Sequence, residues 1–133
     1  MKFLIDTDVF SIAARDSSNA LRDRLQHLPV TDIALSAITV GEIEFGLAKQ
    51  RPRPATVARI EALRQALQVL AIDQTVAKQY GRLRDELRRI GKPIGPNDLW
   101  IAAHALSANL TLVTGNELEF RRVPTLRVEN WMR

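Results

Sequence analysis

The strongest constraint on this chain is an alternation of short apolar runs with stretches whose apolar residues recur at helical spacing. Phe3 to Ile5, Ile33 to Leu35, Val69 to Ile72 and Leu110 to Thr114 read as short buried strands. After the first, Val9, Phe10, Ile12 and Ala13 fall at helical spacing, with Asp8 or Thr7 as a cap. After the second, a helix capped by Ser36 or Thr39 runs to about Gln50 and buries Val40, Ile43 and Leu47. After the third, Asp73 caps a helix to Ile90 whose Val76, Tyr80, Leu83, Leu87 and Ile90 repeat at steps of four and three.

Two further helices are expected from Ser18 to Leu28 and from Ala55 to Gln68, each with a leucine-rich stripe. The turn Gly91 to Pro96 hands over to a helix that starts at Asn97 or Asp98, runs to about Ala108 and is apolar nearly all round, which suits an interior position. Leu126 to Val128 offers an edge strand. Strands alternating with helices predict an α/β fold with three layers, α/β/α, around a mainly parallel sheet of four to five strands joined by right-handed crossovers. The 133 residues suit one domain over positions 1–133.

Composition removes several chemistries. There is no cysteine, which excludes a disulfide, a thiolate nucleophile and a Cys-rich zinc site. His27 and His104 lie far apart and in no zinc-hydrolase spacing, so any metal must be held by oxygen. No glycine-rich phosphate loop is present. The opening MKFLIDTD lacks the apolar core of an export signal, and no apolar run approaches the roughly 20 residues that span a bilayer. The expectation is a soluble, cytoplasmic protein with no membrane partner.

Open parallel sheets place their functional crevice beyond the carboxyl ends of the strands. Asp6 ends the first strand, Glu42 projects from the helix after the second, Asp98 opens the helix after the Gly-Pro turn, and Glu119 follows the fourth strand. Four separated segments thus can deliver carboxylates to one point. Such a cluster needs protons, arginines or cations to coexist in a poorly hydrated cleft, and hard oxygen ligands favour Mg2+, with Mn2+ an alternative. A carboxylate-held pair of ions can activate water and neutralise a phosphodiester. Each acid also has an ordinary reading: a helix cap for Asp6 or Asp98, a solvated surface for Glu42 beside Glu44, and a pair with Arg121 or Arg122 for Glu119.

The segments FLIDTDVF, LSAITVGEIEFGLAK, GKPIGPNDLWIAAHALSANLTLVTGNELEF and VPTLRVENW carry a resemblance over essentially the whole chain. It is to the PIN-domain ribonuclease toxins of bacterial toxin–antitoxin pairs, of the virulence-associated protein C (VapC) type. The resemblance implies a metal-dependent endoribonuclease with metal-binding and catalytic acids at Asp6, Glu42, Asp98 and Glu119, and a polar surround at Thr7, Thr114 and Asn116. It also implies a homodimer and a cognate antitoxin that covers the groove. Two positions depart from the family pattern: Glu119 stands where aspartate is frequent, and Asp8 where asparagine is frequent.

Nineteen basic residues face fifteen acidic ones, a net charge of +4. Neutralising the four candidate acids leaves eleven, and RNA binding becomes electrostatically reasonable. Lys49, Arg51 and Arg53, then Arg82, Arg84, Arg88 and Arg89, and finally Arg121 and Arg122 are candidate phosphate contacts. Tyr80, Trp100 and Trp131 read as core or interface residues rather than as platforms for bases. Two alternatives remain. A PIN-like module that binds RNA or protein without cleaving would be favoured by loss of a cluster acid, yet all four positions are acidic. A haloacid-dehalogenase-like phosphatase also begins Asp-x-Asp, but Phe10 stands where threonine or valine is usual, and no fitting lysine or paired aspartates follow.

Overall fold

The computed structural model describes residues 1–133. Five strands form one sheet: β1 (Phe3–Ile5), β2 (Ile33–Ser36), β3 (Gln68–Leu70), β4 (Thr111–Val113) and β5 (Val128–Glu129). Their order is β3-β2-β1-β4-β5 and every pairing is parallel. Seven α-helices accompany them: α1 (Thr7–Arg15), α2 (Asn19–Gln26), α3 (Ala37–Gln50), α4 (Pro54–Ala66), α5 (Gln74–Arg89), α6 (Pro96–Ser107) and the single turn α7 (Glu117–Phe120). The expected three-layer α/β/α architecture with a parallel sheet is what forms, with five strands.

Period-two alternation along the strands divides the interior into two cores. Leu4, Ala34 and Leu112 stand side by side in register and face Leu83 and Leu87 of α5, Leu99, Ile101 and Ala102 of α6, and Phe120. Ile5, Ile33, Leu35 and Val113 face the other way, onto Val9 and Phe10 of α1, Leu21 of α2, Ile43 of α3, Ile60 of α4 and Trp131. Leu4, Ala34, Leu35, Leu112 and Val113 are each 0% exposed. That is the pattern of a sheet covered on both faces.

Several boundaries differ from the sequence reading, each for a local reason. The helix expected at Asn97 or Asp98 begins at Pro96, whose missing N–H costs nothing at a first helical position. Asp98 therefore lies in the first turn of α6 rather than at its cap. At the start of α1 the cap is Asp6, with extended backbone, whose Oδ1 accepts the Val9 N–H at 2.9 Å. Strand β3 sits one to two residues early because it is an edge strand, with Val69 43% exposed and only β2 beside it. β5 likewise sits at Val128–Glu129 rather than at Leu126 to Val128.

Chain order reverses direction across the sheet at β1, whose neighbours β2 and β4 lead to opposite edges. Folds wound in this way leave a crevice at that point, beyond the carboxyl ends of the strands. Asp6 follows β1 there, with its N–H donating to the Val113 carbonyl at 3.0 Å, and Thr114 follows β4.

Candidate active site

Asp6 is 6% exposed and hangs over the carboxyl edge of β1. Burial pushes its carboxyl up to about 6, and the negative charges of Asp8 and Glu42 add to the rise. The Thr114 hydroxyl and the Val9 N–H, which favour the charged form, offset only part of it. Thr114 is fully buried and also accepts the Asn116 N–H at 2.9 Å, so β4 and the turn after it lean on the same carboxylate.

Glu42 lies on the second turn of α3, and β2 runs directly into that helix through the Ser36 cap, whose hydroxyl accepts the Ile38 N–H. The Thr7 hydroxyl donates to Glu42 Oε1 and stands 3.3 Å from the hydroxyl of buried Thr39. Asn97 donates to Glu42 Oε2 at 3.4 Å. The ordinary surface reading applies to its neighbour instead: Glu44 pairs with Arg64 at 2.8 Å.

Asp98 and Glu119 meet at the other side of the crevice. The position a β-carbon would take on Gly95 lies 3.8 Å from Glu119 Oε1 and 4.0 Å from Asp98 Oδ2, so both acids flank one point. Burial, then contact with Glu119, then the charges of Glu119, Asp6 and Glu42 push Asp98 up to about 7. Glu119 accepts the Gly95 N–H at 2.9 Å and the Asn116 amide at 2.6 Å. It pairs with neither nearby arginine: Arg121 joins Glu117, and Arg122 donates to the Pro93 carbonyl at 3.0 Å. A carboxylate that braces the Gly95 turn is a different object from a surface ion pair.

The four candidate acids and the three polar residues around them thus border one crevice, where Glu42 acts on Asp6, and Glu119, Asp6 and Glu42 act on Asp98. Asp8 is exposed and acts on Asp6 only through its charge. No three acid or histidine side chains stand close enough to enclose a single ion. Beside the crevice a cavity of about 170 Å3 opens between α1, α3 and α4, lined by Thr7, Phe10, Glu42, Leu47 and Ile60 among others.

His104 is a buried polar residue on the interior helix α6. It is 2% exposed, and its Nδ1 lies 2.8 Å from the Ser36 hydroxyl, which ties α6, carrying Asp98, to the cap of α3, carrying Glu42. Burial holds its ring below the usual imidazole range, against the pull of Asp73. The basic candidates divide. Arg88 and Arg89 are paired with Asp85, and Arg84 donates to the Tyr80 hydroxyl. Lys49, Arg51 and Arg53 are exposed and in no ion pair. Tyr80 and Trp100 stack on each other with ring centroids 3.8 Å apart, and Trp131 is buried against Phe3.

Comparison with known proteins shows the family and the fold. The model of the PIN domain family matches residues 3–126. Ribonuclease VapC2 of Rickettsia felis is 33% identical over 132 residues, spanning 98% of each chain. The tRNA(fMet)-specific endonuclease VapC of Salmonella typhimurium is 35% identical over 131 residues, again 98% of each. Among solved structures, VapBC2 from Rickettsia felis bound to a DNA fragment from their promoter superposes with a TM-score of 0.89 at 32% identity. It covers 98% of this chain and 99% of that one. With a family match over most of its length and full-length relatives above 30% identity, this chain belongs to the PIN-domain family, and within it to the VapC type.

Proposed function

We propose that the chain is a metal-dependent endoribonuclease, the toxin of a toxin–antitoxin pair, in which Asp6, Glu42, Asp98 and Glu119 are the metal-binding and catalytic acids. The observation that carries this reading is the convergence of those four carboxylates, from four separate segments, on the crevice beyond β1 and β4. Their donor set fits Mg2+ or Mn2+, being carboxylate and hydroxyl oxygen with no sulfur or imidazole. The raised carboxyls of Asp6 and Asp98 speak for the same fit, because like charges crowded in a half-buried crevice are relieved by a cation as well as by a proton. Since no three of them enclose one point as they stand, side-chain adjustment accompanies binding.

A bound Mg2+ or Mn2+ would supply positive charge for the scissile phosphate and a more acidic water. The chain's own residues supply the rest. Val9 N–H and Thr114 hold Asp6 in place; Thr7 and Asn97 orient Glu42; Gly95 N–H and Asn116 fix Glu119. Lys49, Arg51 and Arg53 offer unpaired positive charge to the RNA backbone. The Rickettsia structure of VapBC2 with promoter DNA supports a cognate antitoxin partner for this chain, and the cavity beside Thr7 and Glu42 is the groove that such a partner would fill. A homodimer belongs to the same reading.

The test is direct. Purified chain, freed of any partner, should cleave RNA in magnesium or manganese, should stop in EDTA and should resume when metal is restored. The tRNA(fMet) named for the Salmonella relative is the first substrate to try. Undiminished cleavage in chelator overturns the mechanism. Within the site, Glu119→Gln should keep the fold yet lower turnover by about ten- to a hundredfold, the usual cost of disturbing a group that holds or orients a metal ligand. Unchanged metal affinity by calorimetry together with normal turnover would return Glu119 to a purely structural role at the Gly95 turn.

A further inference from the structure

Of the seven aromatic rings in the chain, six are buried or half-buried and one, Phe45, stands 67% exposed. It lies on α3 three residues beyond Glu42, which puts it on an adjoining face about 4.5 Å further along the helix axis. The Lys49 ammonium stands over its ring at 5.9 Å from the centroid. Arg51, exposed and free of ion pairs, follows at the end of the same helix.

Resting on the ribonuclease reading, we propose that Phe45 is a stacking platform for an unpaired nucleobase of the RNA beside the bond that is cut, with Lys49 taking an adjacent phosphate. Unstacked bases in loops are recognised on aromatic side chains, and single-strand binding sites combine such rings with cations that track the backbone. A second copy of the chain is the competing occupant, and the surroundings speak against it. The other exposed residues of α3 are Gly41, Glu44, Ala48, Lys49 and Gln50. Interfaces between protein copies bury an apolar centre depleted of charge, whereas here a single ring is set among charged and small residues. A lone ring beside a cation suits a flat, π-faced and anionic ligand.

The experiment uses the full chain in EDTA and a set of short single-stranded oligoribonucleotides carrying 2-aminopurine at each position in turn. Binding of wild type should quench the fluorophore at one or two positions. Phe45→Ala and Phe45→Leu should abolish that quenching and weaken binding by about five- to a hundredfold, the span that stacking of one base covers. Phe45→Trp should restore both. In magnesium the loss should fall mainly on KM, because a phenyl ring carries no group that could hold a metal ion or move a proton. Leucine binding and quenching as well as phenylalanine would overturn the proposal, since only apolar contact would then be at work. Light scattering decides the rival: if Phe45→Ala splits a dimer while the affinity for RNA stands unchanged, Phe45 belongs to a self-interface and the proposal fails. A wild type that cleaves RNA beside an unaffected Phe45→Ala defeats the stacking alone. A wild type that neither binds nor cleaves any RNA defeats the ribonuclease reading beneath it.

Discussion

Asp6→Asn is expected to lower RNA cleavage in magnesium by at least about a hundredfold while leaving the metal-free fold intact. The side chain does two jobs that can be separated. As a cap, its Oδ1 accepts the Val9 N–H at 2.9 Å, and asparagine caps a helix about as well as aspartate. As a charge, it sits 6% exposed beside Asp8 and Glu42, and asparagine removes that charge. Asp6→Ala supplies the contrast: it should also lose activity, but with about 1 kcal/mol of stability lost with the cap. Magnesium should stabilise the wild type against urea and stabilise Asp6→Asn less, because only an ion that prefers the folded state shifts the equilibrium. Denaturation series on the three proteins, with and without magnesium, run beside one cleavage assay, decide the matter. Wild-type turnover and full magnesium stabilisation in Asp6→Asn would leave Asp6 a cap and nothing more.

What the sequence made legible and what it did not follow a physical line. Phe3 to Ile5, Ile33 to Leu35 and the run around Thr111–Val113 are strands buried on both faces, and such strands announce themselves as continuous apolar runs. Edge strand β3 carries exposed residues and edge strand β5 only half-buried ones, so their limits blurred by one or two positions. The four acids were separable from ordinary polar residues only through their places after strands and through a resemblance. The resemblance named Thr7, Thr114 and Asn116 around them, but which contacts form was not readable from spacing, because several join residues far apart along the chain. Thr7 meets Glu42 across 35 residues, Gly95 meets Glu119 across 24, and His104 meets Ser36 across 68. Nearby arginines made a surface pair for Glu119 reasonable, yet Glu117 takes Arg121 and the Gly95 turn takes Glu119. Phe45 did leave a signal: Val40, Ile43 and Leu47 define the buried stripe of α3, and a phenylalanine off that stripe has no core to enter.

The second large effect is a dependence of stability on pH that changes sign with magnesium. In the metal-free protein Asp6 titrates at about 6 and Asp98 at about 7, both above their ordinary value of 3.8. The folded chain therefore holds protons between pH 4 and 7 that the unfolded chain has released. Their contribution is fully present below the unfolded value and is lost as pH rises through 6 and 7. For Asp6, a rise of about two units corresponds to at most about 3 kcal/mol, and Asp98, less buried, adds a smaller and partly screened share. His104 works the other way. Its ring is held below the usual range, so acid below about pH 6.5 favours the unfolded chain, which takes up that proton more readily. Comparing wild type with Asp6→Asn removes this background, since both carry His104. At about pH 3.5 the two metal-free proteins should have nearly equal stability, because Asp6 is then neutral in the folded chain and largely neutral in the unfolded one. At pH 8 Asp6→Asn should be the more stable by about 1 to 3 kcal/mol. In saturating magnesium the order at pH 8 should invert, because cation ligation requires the ionised carboxylate that the mutant lacks and competes with the proton below pH 6. Urea denaturation at the two pH values, with magnesium or EDTA, gives four differences between the proteins. If those four differences are equal, Asp6 neither carries a raised carboxyl nor meets a metal, and the crevice is a set of capped helices without the chemistry proposed for it.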